Sequence, residues 1–301
     1  MMEDIVERIK TLKRQHNAVI LAHNYTLPEI QDVADFVGDS LGLSIKAAET
    51  KADVIVFCGV TFMGETAKIV SPSKKVLLPE VDAYCAMAAM CTAQQIREAK
   101  VSYPDATVVG YVNTTAETKT EVDVCCTSSN AVKVVNSIDS KQILFVPDAN
   151  LAAYVGSKIP EKVMIPWKGF CPVHHTITAN QVRLLMEKHP NAIVIAHPEC
   201  RPEVLNLADH VGSTERMITI CKESDSKEFI IITEVGMLHR LEIACPGKRF
   251  VFPSNAVCPT MKMIDLNSLL RCMQNMSGEV SLSKEIIDKA HTPVKRMIEI
   301  K

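Results

Sequence analysis

The junction that decides the fold occurs three times along the chain, as VLLPEVDAYC (76–85), VMIPWKGFC (163–171) and FVFPSNAVC (250–258). In each copy a short apolar run ends in proline, and a cysteine follows five or six residues later. The prolines are 87 residues apart (166 − 79 and 253 − 166), and the cysteines are 86 and 87 residues apart (171 − 85 and 258 − 171). Self-similarity at a fixed period is typical of a repeated structural unit. The sequence therefore predicts three copies of one unit, each with a cysteine on the equivalent loop.

Each copy opens with a continuous apolar run of strand length. The three runs are NAVILAHNY (17–25), DATVVGYVN (105–113) and NAIVIAHPE (191–199). Such runs are typical of parallel strands buried on both faces, and segments with helical periodicity separate them from further apolar runs. Strands that alternate with helices form parallel sheets with helices on both faces. We therefore expect an α/β protein.

The period also sets the expected domain organisation. We predict three homologous three-layer αβα units with parallel sheets, arranged with pseudo-threefold symmetry around a central active site. The expected boundaries follow the cysteine loops, at residues 1–84, 85–170 and 171–301, and the last range also holds a C-terminal helix.

Composition argues against several classes of protein. The formal net charge is −2, which gives no reason to expect a nucleic-acid partner or an anionic membrane surface. No apolar run approaches the roughly 18 residues that a membrane span requires. The N-terminal sequence MMEDIVERIKTLKRQ lacks the apolar core of a signal peptide. We therefore expect a cytoplasmic protein, in which the 11 cysteines do not form disulfides.

Polar side chains follow the opening strand at matching places in the three copies. In parallel α/β sheets, ligands bind beyond the carboxyl ends of the strands. If the three units pack around one axis, their equivalent loops converge, and Cys85, Cys171 and Cys258 meet near that axis. The polar residues would line the same cavity, with His23, Tyr111 and His197 in one class and Tyr25, Asn113 and Glu199 in a second.

Hydroxyl residues stand at a third matching place. Ser40, Ser128 and Thr214 each come just before a helical pattern. One interpretation is that each caps its helix, which stabilises a helix by about 1 kcal/mol. The other is an anion site, because a helix N-terminus offers free N–H groups and a partial positive charge. The sequence leaves both interpretations open.

Three thiolates on three loops leave a four-ligand metal site incomplete, and two metal centres fit this pattern. Zinc held by the cysteines and by His174 or His175 is one, although structural zinc sites usually contain local cysteine pairs. A [4Fe–4S] cluster is the other. It normally has four cysteine ligands, so three would leave one iron open as a Lewis acid, which suits dehydration of small carboxylates. A third interpretation is three buried thiols without a function.

Two further side chains are candidates for a role in catalysis. Glu199, in AHPEC, is the one carboxylate at a strand end of the predicted cavity and is the natural general base. His174 follows Cys171 by three residues in CPVHH, close enough to reach a ligand on the same metal.

Long segments of the chain resemble the quinolinate synthase family, the iron–sulfur enzymes of NAD biosynthesis. The matching segments are AHNYTLPEIQDVADFVGDS, YVNTTAETK, CTSSNAV, GFCPVHH, AHPEC, VGST and AVCPTMK, which are spread over nearly the whole chain. The resemblance implies three αβα units around a central [4Fe–4S] cluster, one per chain. By motif, its cysteine ligands correspond to Cys85, Cys171 and Cys258.

The same resemblance implies a reaction and its partners. Members of the family condense iminoaspartate with dihydroxyacetone phosphate, releasing phosphate and two waters to give quinolinate. We expect Glu199 to transfer protons, and His23, Tyr25 and His197 to orient and polarise the intermediates. The expected partners are these small molecules, and a functional coupling to an enzyme that produces iminoaspartate would follow. The motif positions imply a substrate cavity of His23, Tyr25, Ser40, Tyr111, Asn113, Ser128, His174, His197, Glu199, Ser213 and Thr214.

Two other interpretations remain open from the residues. An aconitase-like hydro-lyase acting on another small polycarboxylate would not need the phosphate-binding set Ser128, Ser213 and Thr214. A non-catalytic cluster protein that senses iron or oxygen would not need Glu199 in a lined cavity. Close to the first cluster cysteine stands Cys91, which we expect to be a spectator.

Overall fold

A computed structural model describes residues 2–300, with the backbone alone at Met2. The elements of the first copy of the repeat are α1 (Met2–Gln15), β1 (Ala18–His23), α2 (Pro28–Val33), β2 (Phe36–Gly38), α3 (Ser40–Glu49), β3 (Val54–Cys58), α4 (Thr61–Val70) and β4 (Lys75–Leu77). Those of the second copy are α5 (Ala93–Ser102), β5 (Thr107–Tyr111), α6 (Ala116–Lys119), β6 (Val124–Cys126), α7 (Ala131–Asn136), β7 (Gln142–Val146), α8 (Ala149–Lys158) and β8 (Val163–Pro166).

The third copy repeats this order after one extra short helix, α9, and two further helices follow it. Its elements are α9 (Pro172–Thr176), α10 (Ala179–Lys188), β9 (Ile193–Ala196), α11 (Pro202–Leu205), β10 (His210–Val211), α12 (Thr214–Glu223), β11 (Glu228–Ile232), α13 (Met237–Ala244) and β12 (Arg249–Val251). The last helices are α14 (Leu266–Asn275) and α15 (Lys284–Glu299).

The strands form three four-stranded sheets with one shared topology. Their strand orders are β2-β1-β3-β4, β6-β5-β7-β8 and β10-β9-β11-β12, so the same crossover pattern occurs three times. Every pairing within these sheets is parallel. The predicted α/β class with three αβα units is confirmed, whereas the boundaries at residues 84/85 and 170/171 stay a prediction.

The apolar runs that the sequence predicts to be buried strands form the core of each sheet. The strands β3 and β5 are buried along almost their whole length. One hydrophobic cluster is continuous across the first two sheets and includes Phe57 of the first and Phe145 of the second. The third sheet buries its two faces in two separate clusters. In residues 2–300, no helix combines the length and apolar character needed to span a membrane.

The helix that follows each cysteine loop begins in the same way in all three copies. Thr92, Thr178 and Asp265 are the N-caps of α5, α10 and α14, and each forms a reciprocal capping box with the residue three positions later. Their spacing is 86 and 87 residues (178 − 92 and 265 − 178), which is the period of the cysteines. The repeat therefore continues past Cys258.

Both C-terminal helices pack on units other than the third. The buried side chains of α14, including Leu269, share a cluster with Ile9 of α1 and Ile20 of β1. The last helix, α15, packs against α4, α6 and β6. The Asn130 side chain fixes it there by donating to the carbonyls of Met297 (2.9 Å) and Ile300 (2.7 Å). The chain end thus ties the first and second units together.

Two glycines with left-handed backbone give a matched test of this packing. Gly278 (φ 78°) accepts a hydrogen bond from the Leu78 N–H at 2.9 Å, and a Cβ there would lie 2.1 Å from the Leu78 carbonyl oxygen. Gly247 (φ 81°) has open space at the same position. We expect Gly247→Ala to lower the free energy of unfolding by about 1 kcal/mol, the cost of left-handed backbone. Gly278→Ala should lose a further 1–3 kcal/mol, roughly the cost of overpacking. Urea unfolding measures both, and equal losses would contradict the contact with Leu78.

Candidate active site

Three of the cysteines differ from the rest in their surroundings. Cys85, Cys171 and Cys258 line one cavity. They are partly exposed, whereas the other eight of the 11 cysteines are buried. Each of the three follows the last strand of its sheet, so the repeat delivers one thiol from each unit to the same place. The structure thus brings together the three cysteines that the 87-residue period singles out.

The cavity is built at the carboxyl ends of the three sheets. The space between its walls, counted together with its open mouth, is about 970 Å³. All three units contribute predicted polar residues to its wall, namely His23, Tyr25, Ser40, Tyr111, Asn113, Ser128, His174, His197, Glu199 and Thr214. Ser213 is the exception, because it is buried behind the wall.

The helix starts correct one expectation from the sequence. Ser40 and Thr214 do not cap α3 and α12, because each is the first helical residue. The caps are the preceding residues in extended conformation. Asp39 accepts from the Gly42 N–H at 2.8 Å, and Ser213 accepts from the Arg216 N–H at 3.4 Å. The hydroxyl groups of Ser40 and Thr214 are therefore not used as caps.

The third helix start is also different from the expectation. The N-cap residue of α7 is Asn130, two positions after Ser128, and its side chain does not cap the helix. Ser128 instead stands in the cavity wall. The N-cap interpretation is thus wrong for all three hydroxyl residues, and the anion-site interpretation remains.

A carboxylate from the third unit lies at the centre of the polar wall. Glu199 is only 3% exposed, and its Oε1 accepts a hydrogen bond from the Tyr111 hydroxyl. Its Oε2 is 2.7 Å from Nδ1 of His174 and 3.9 Å from Nδ1 of His197. A buried carboxylate is stable only with such partners. Glu199 therefore connects the second unit to two histidines of the third.

His174 connects this carboxylate to a thiol and to the first unit. Its Nδ1 is 3.2 Å from Sγ of Cys171, and its Nε2 is 2.9 Å from Oγ1 of Thr233. The same Thr233 hydroxyl is 2.7 Å from the hydroxyl of Tyr25. The imidazole also stacks on His197, with ring centroids 4.6 Å apart. One continuous network thus runs from a cysteine loop to the end of β1.

Burial sets the charge state of the cavity side chains. It lowers the pKa of His23 to about 4 and that of His197 to about 3, so both imidazoles are neutral at neutral pH. Burial, together with the charge of Glu199, raises the pKa of Tyr25 and Tyr111, which keeps both hydroxyls protonated. Burial also acts to raise the pKa of Glu199, but His174, His197 and the hydrogen bonds it accepts outweigh this effect and hold it well below the usual value.

Two of the three thiols, those of Cys85 and Cys171, are held in the protonated form in the metal-free chain. Burial raises the pKa of Cys85 to about 12, and burial followed by the charge of Glu199 raises that of Cys171. Cys258 contributes to the pKa rise of Cys85, and Cys85 contributes to the pKa rise of Cys171. These contributions indicate that the three side chains are electrostatic neighbours. Because metal ligands must be deprotonated, metal binding here would release protons.

A buried ion pair at the cavity was not predicted from the sequence. Glu234 is fully buried, and its Oε1 accepts from the backbone N–H of Cys258 at 3.0 Å. Lys262 Nζ is 3.0 Å from the same oxygen and donates to the Tyr25 carbonyl oxygen at 2.5 Å. The pair thus holds a cysteine loop of the third unit against the strand-end loop of the first.

A second buried carboxylate occupies the equivalent place in the second copy. Asp148 accepts from the Leu151 N–H at 2.8 Å, and it lies beside the backbone N–H of Cys171. Burial, and then the charge of Glu199, raise its pKa, and the Cys171 N–H opposes that rise. Asp148 and Glu234 are 86 residues apart (234 − 148), so aligning the ends of the second long strand in each copy would have found both.

Comparison with known proteins bears on what this cavity does. The family model described as quinolinate synthetase A protein matches residues 7–299. The chain is similar to the protein named quinolinate synthase of Methanosarcina barkeri, with 52% identity covering 99% of this chain and 98% of that protein. It is 50% identical to the quinolinate synthase of Methanocaldococcus jannaschii over the whole of both chains. Identity to that of Aquifex aeolicus is 47%, over 99% of this chain and 95% of that protein.

The buried ion pair gives a testable prediction of stability. Lys262→Met removes the cation and leaves the Glu234 carboxylate buried without its countercharge, which we expect to lower the free energy of unfolding by about 3 kcal/mol. Lys289→Met is the matched control, because Lys289 pairs with Glu285 on an exposed helix face and should leave stability unchanged. Chemical denaturation of both variants measures the difference. Equal stability of the two would show that the pair does not hold the loop.

Proposed function

The chain belongs to the quinolinate synthetase A family, and we propose that its cavity joins iminoaspartate to dihydroxyacetone phosphate. The balanced products are quinolinate, one phosphate and two waters, which makes the chain an enzyme of NAD biosynthesis. The observation that carries this proposal is the meeting of three thiols, one from each unit, with a polar wall of neutral histidines, hydroxyls and the carboxylate of Glu199.

We propose that Cys85, Cys171 and Cys258 hold a [4Fe–4S] cluster. The residues fit this group, because these are the three partly exposed cysteines and the described residues that line the cavity include no fourth. A cluster with three protein thiolates has one iron open to a substrate oxygen, and it would supply Lewis-acid chemistry for dehydration. The zinc alternative lacks the local cysteine pair that structural zinc sites usually have.

The helix starts are suited to the negative charges of both substrates. Ser40 and Thr214 stand at the first turns of α3 and α12, each ten residues long, and their hydroxyls are not used as caps. The free N–H groups and positive dipole ends there favour phosphate and carboxylate. Ser128 adds a hydroxyl from the second unit, and Ser213 supports Thr214 by capping α12.

Other cavity groups orient the substrates by hydrogen bonds. His23 and His197 are neutral at neutral pH, so each offers one donor and one acceptor. Oδ1 of Asn113 is buried and has no hydrogen-bond partner in the structure, which leaves it free to accept from a ligand. Tyr25 keeps its proton and can donate to a developing negative charge.

Proton transfer is assigned to Glu199 acting together with His174. Oε2 of the carboxylate and Nδ1 of the imidazole are 2.7 Å apart, which is within reach for direct proton transfer between them. A carboxylate held this far below its usual pKa is a weak base alone. The imidazole can take up the proton, and the buried setting excludes competing water. The substrate iminoaspartate must come from an enzyme that oxidises an amino acid, and we propose coupling to such a partner.

The role of Glu199 can be tested by an isosteric change. Glu199→Gln keeps the size of the side chain and its hydrogen bond with Tyr111 but removes the charge that pairs with His174. We expect turnover to fall by more than about 100-fold, the usual effect of losing a general base. Quinolinate formation should be assayed anaerobically, with and without dihydroxyacetone phosphate, alongside the absorption spectrum of the cluster. Activity like that of the unchanged chain would remove Glu199 from the mechanism, and product formed without dihydroxyacetone phosphate would contradict the proposed substrates.

The cluster ligands can be tested within one loop. Cys85→Ser should abolish the absorption and Mössbauer signature of a [4Fe–4S] cluster, because two thiolates cannot hold it. Cys91→Ser is the matched control, because Cys91 is only six residues away but buried and absent from the cavity wall. It should retain the cluster. Loss of the cluster from Cys91→Ser with retention in Cys85→Ser would reverse the assignment.

A further inference from the structure

The cavity contains a second, more compact set of donor atoms. Among residues 2–300, one set of three or more histidine, cysteine or carboxylate donors has all its atoms within 4.8 Å of one another. It consists of Cys171, His174 and Glu199. Cys85 and Cys258 are outside this set although they line the same cavity. Ligands of a single ion must be this close, whereas thiolates on separate irons of one cluster stand farther apart.

Each non-thiol donor already has an outer partner that fixes its orientation. Nε2 of His174 is 2.9 Å from the Thr233 hydroxyl, which leaves Nδ1 to face Cys171 and Glu199. Oε1 of Glu199 accepts from Tyr111, which leaves Oε2, 2.7 Å from Nδ1 of His174, as the carboxylate oxygen that faces the other two donors. Histidine and carboxylate ligands of metal ions regularly have such partners, and these partners orient the ligand.

The donor types select the class of cation. One sulfur, one imidazole nitrogen and one carboxylate oxygen match Zn²⁺ or Fe²⁺, whereas Ca²⁺ and Mg²⁺ prefer oxygen alone. Three protein ligands with an open fourth position are the arrangement of catalytic zinc sites. Cys171 and His174 lie between β8 and β9, and Glu199 follows β9, so the site does not need the loops that carry Cys85 and Cys258.

We propose that the cluster-free chain binds one Zn²⁺ or Fe²⁺ ion at Cys171, His174 and Glu199. Binding displaces to solvent the thiol proton of Cys171 and the proton of the hydrogen bond between Nδ1 of His174 and Oε2 of Glu199, and no electron transfer is involved. Because Cys171 is also a proposed cluster ligand, the single ion and the cluster exclude each other. This competition rests on the proposed function, whereas the ion site itself does not.

A cobalt titration tests the ion site directly. Co²⁺ is added anaerobically to the cluster-free chain, the thiolate-to-metal absorption is recorded, and Zn²⁺ is then used to displace it. We expect one equivalent to bind with a single thiolate ligand. Cys171→Ser and His174→Ala should each weaken binding by more than about 100-fold, because loss of an outer partner alone costs 10–100-fold. Thr233→Val, which removes only the outer partner of His174, should weaken it by about 10-fold.

The matched control separates this site from the three-cysteine set. Cys258→Ser removes a proposed cluster ligand but none of the three compact donors, so it should bind Co²⁺ within about twofold of the unchanged chain. If Cys258→Ser and Cys85→Ser weaken binding as much as Cys171→Ser does, the ion sits among the three thiols and the proposal is overturned. Unchanged binding in His174→Ala would overturn it as well. Circular dichroism of each variant shows whether it is folded.

A reconstitution assay tests the competition. Iron and sulfide are supplied to the cluster-free chain with and without one equivalent of Zn²⁺, and we expect cluster formation to be slower by at least about tenfold with zinc. Equal rates would overturn the competition. If no cluster forms even without zinc, the proposed function fails while the cobalt result stands, so the two failures are distinguishable.

Discussion

Parallel strands expose their carboxyl ends at one edge of a sheet, and this chain places three such edges around a single cavity. The loops there carry buried carboxylates, at Asp148, Glu199 and Glu234, which would each cost several kcal/mol without partners. Their partners come largely from the same loops: the backbone N–H groups beside Cys171 and Cys258, two histidines and Lys262. The need to satisfy these buried groups therefore fixes two of the three thiol-bearing loops, those of Cys171 and Cys258, and the units depend on one another through them.

The repeat is not perfect, and its departures concentrate on the first cysteine loop. Asp148 and Glu234 have Val60 as their counterpart in the first copy, 88 residues before Asp148 (148 − 60). No carboxylate at that position holds the loop of Cys85. In the same loop Ala86 stands where proline follows the other two cysteines. The Cys85 loop thus lacks both the buried carboxylate and the proline that restrain the other two cysteine loops. The Ala83 carbonyl oxygen still accepts hydrogen bonds from the backbone N–H and the side-chain hydroxyl of Thr61.

Sequence periodicity was enough to find the sheets, the three thiols and most of the cavity wall, because those features recur at a fixed spacing. It placed two helix caps one residue late, since Ser40 and Thr214 follow better-placed acceptors at Asp39 and Ser213, and it placed the third two residues early, at Ser128 instead of Asn130. The Lys262 contact with Tyr25 spans 237 residues and occurs in one copy alone, so no periodic signal marks it. The position of α14 on the first unit was hidden for a related reason. The helix that follows the third copy packs on the first unit, and the spacing of residues along the sequence does not indicate this contact.

The pair formed by His174 and Glu199 takes part in both the proposed proton transfer and the proposed ion site. A cavity that receives anions, as proposed, needs neutral or positive groups, yet the proton carrier proposed for it is a carboxylate. The structure resolves this conflict by pairing Glu199 with one imidazole at 2.7 Å while burial keeps the other two, His23 and His197, neutral. The same closeness puts three donors of different chemistry within reach of one ion. The proposed ion site and the proposed cluster would therefore compete for the same thiol, that of Cys171.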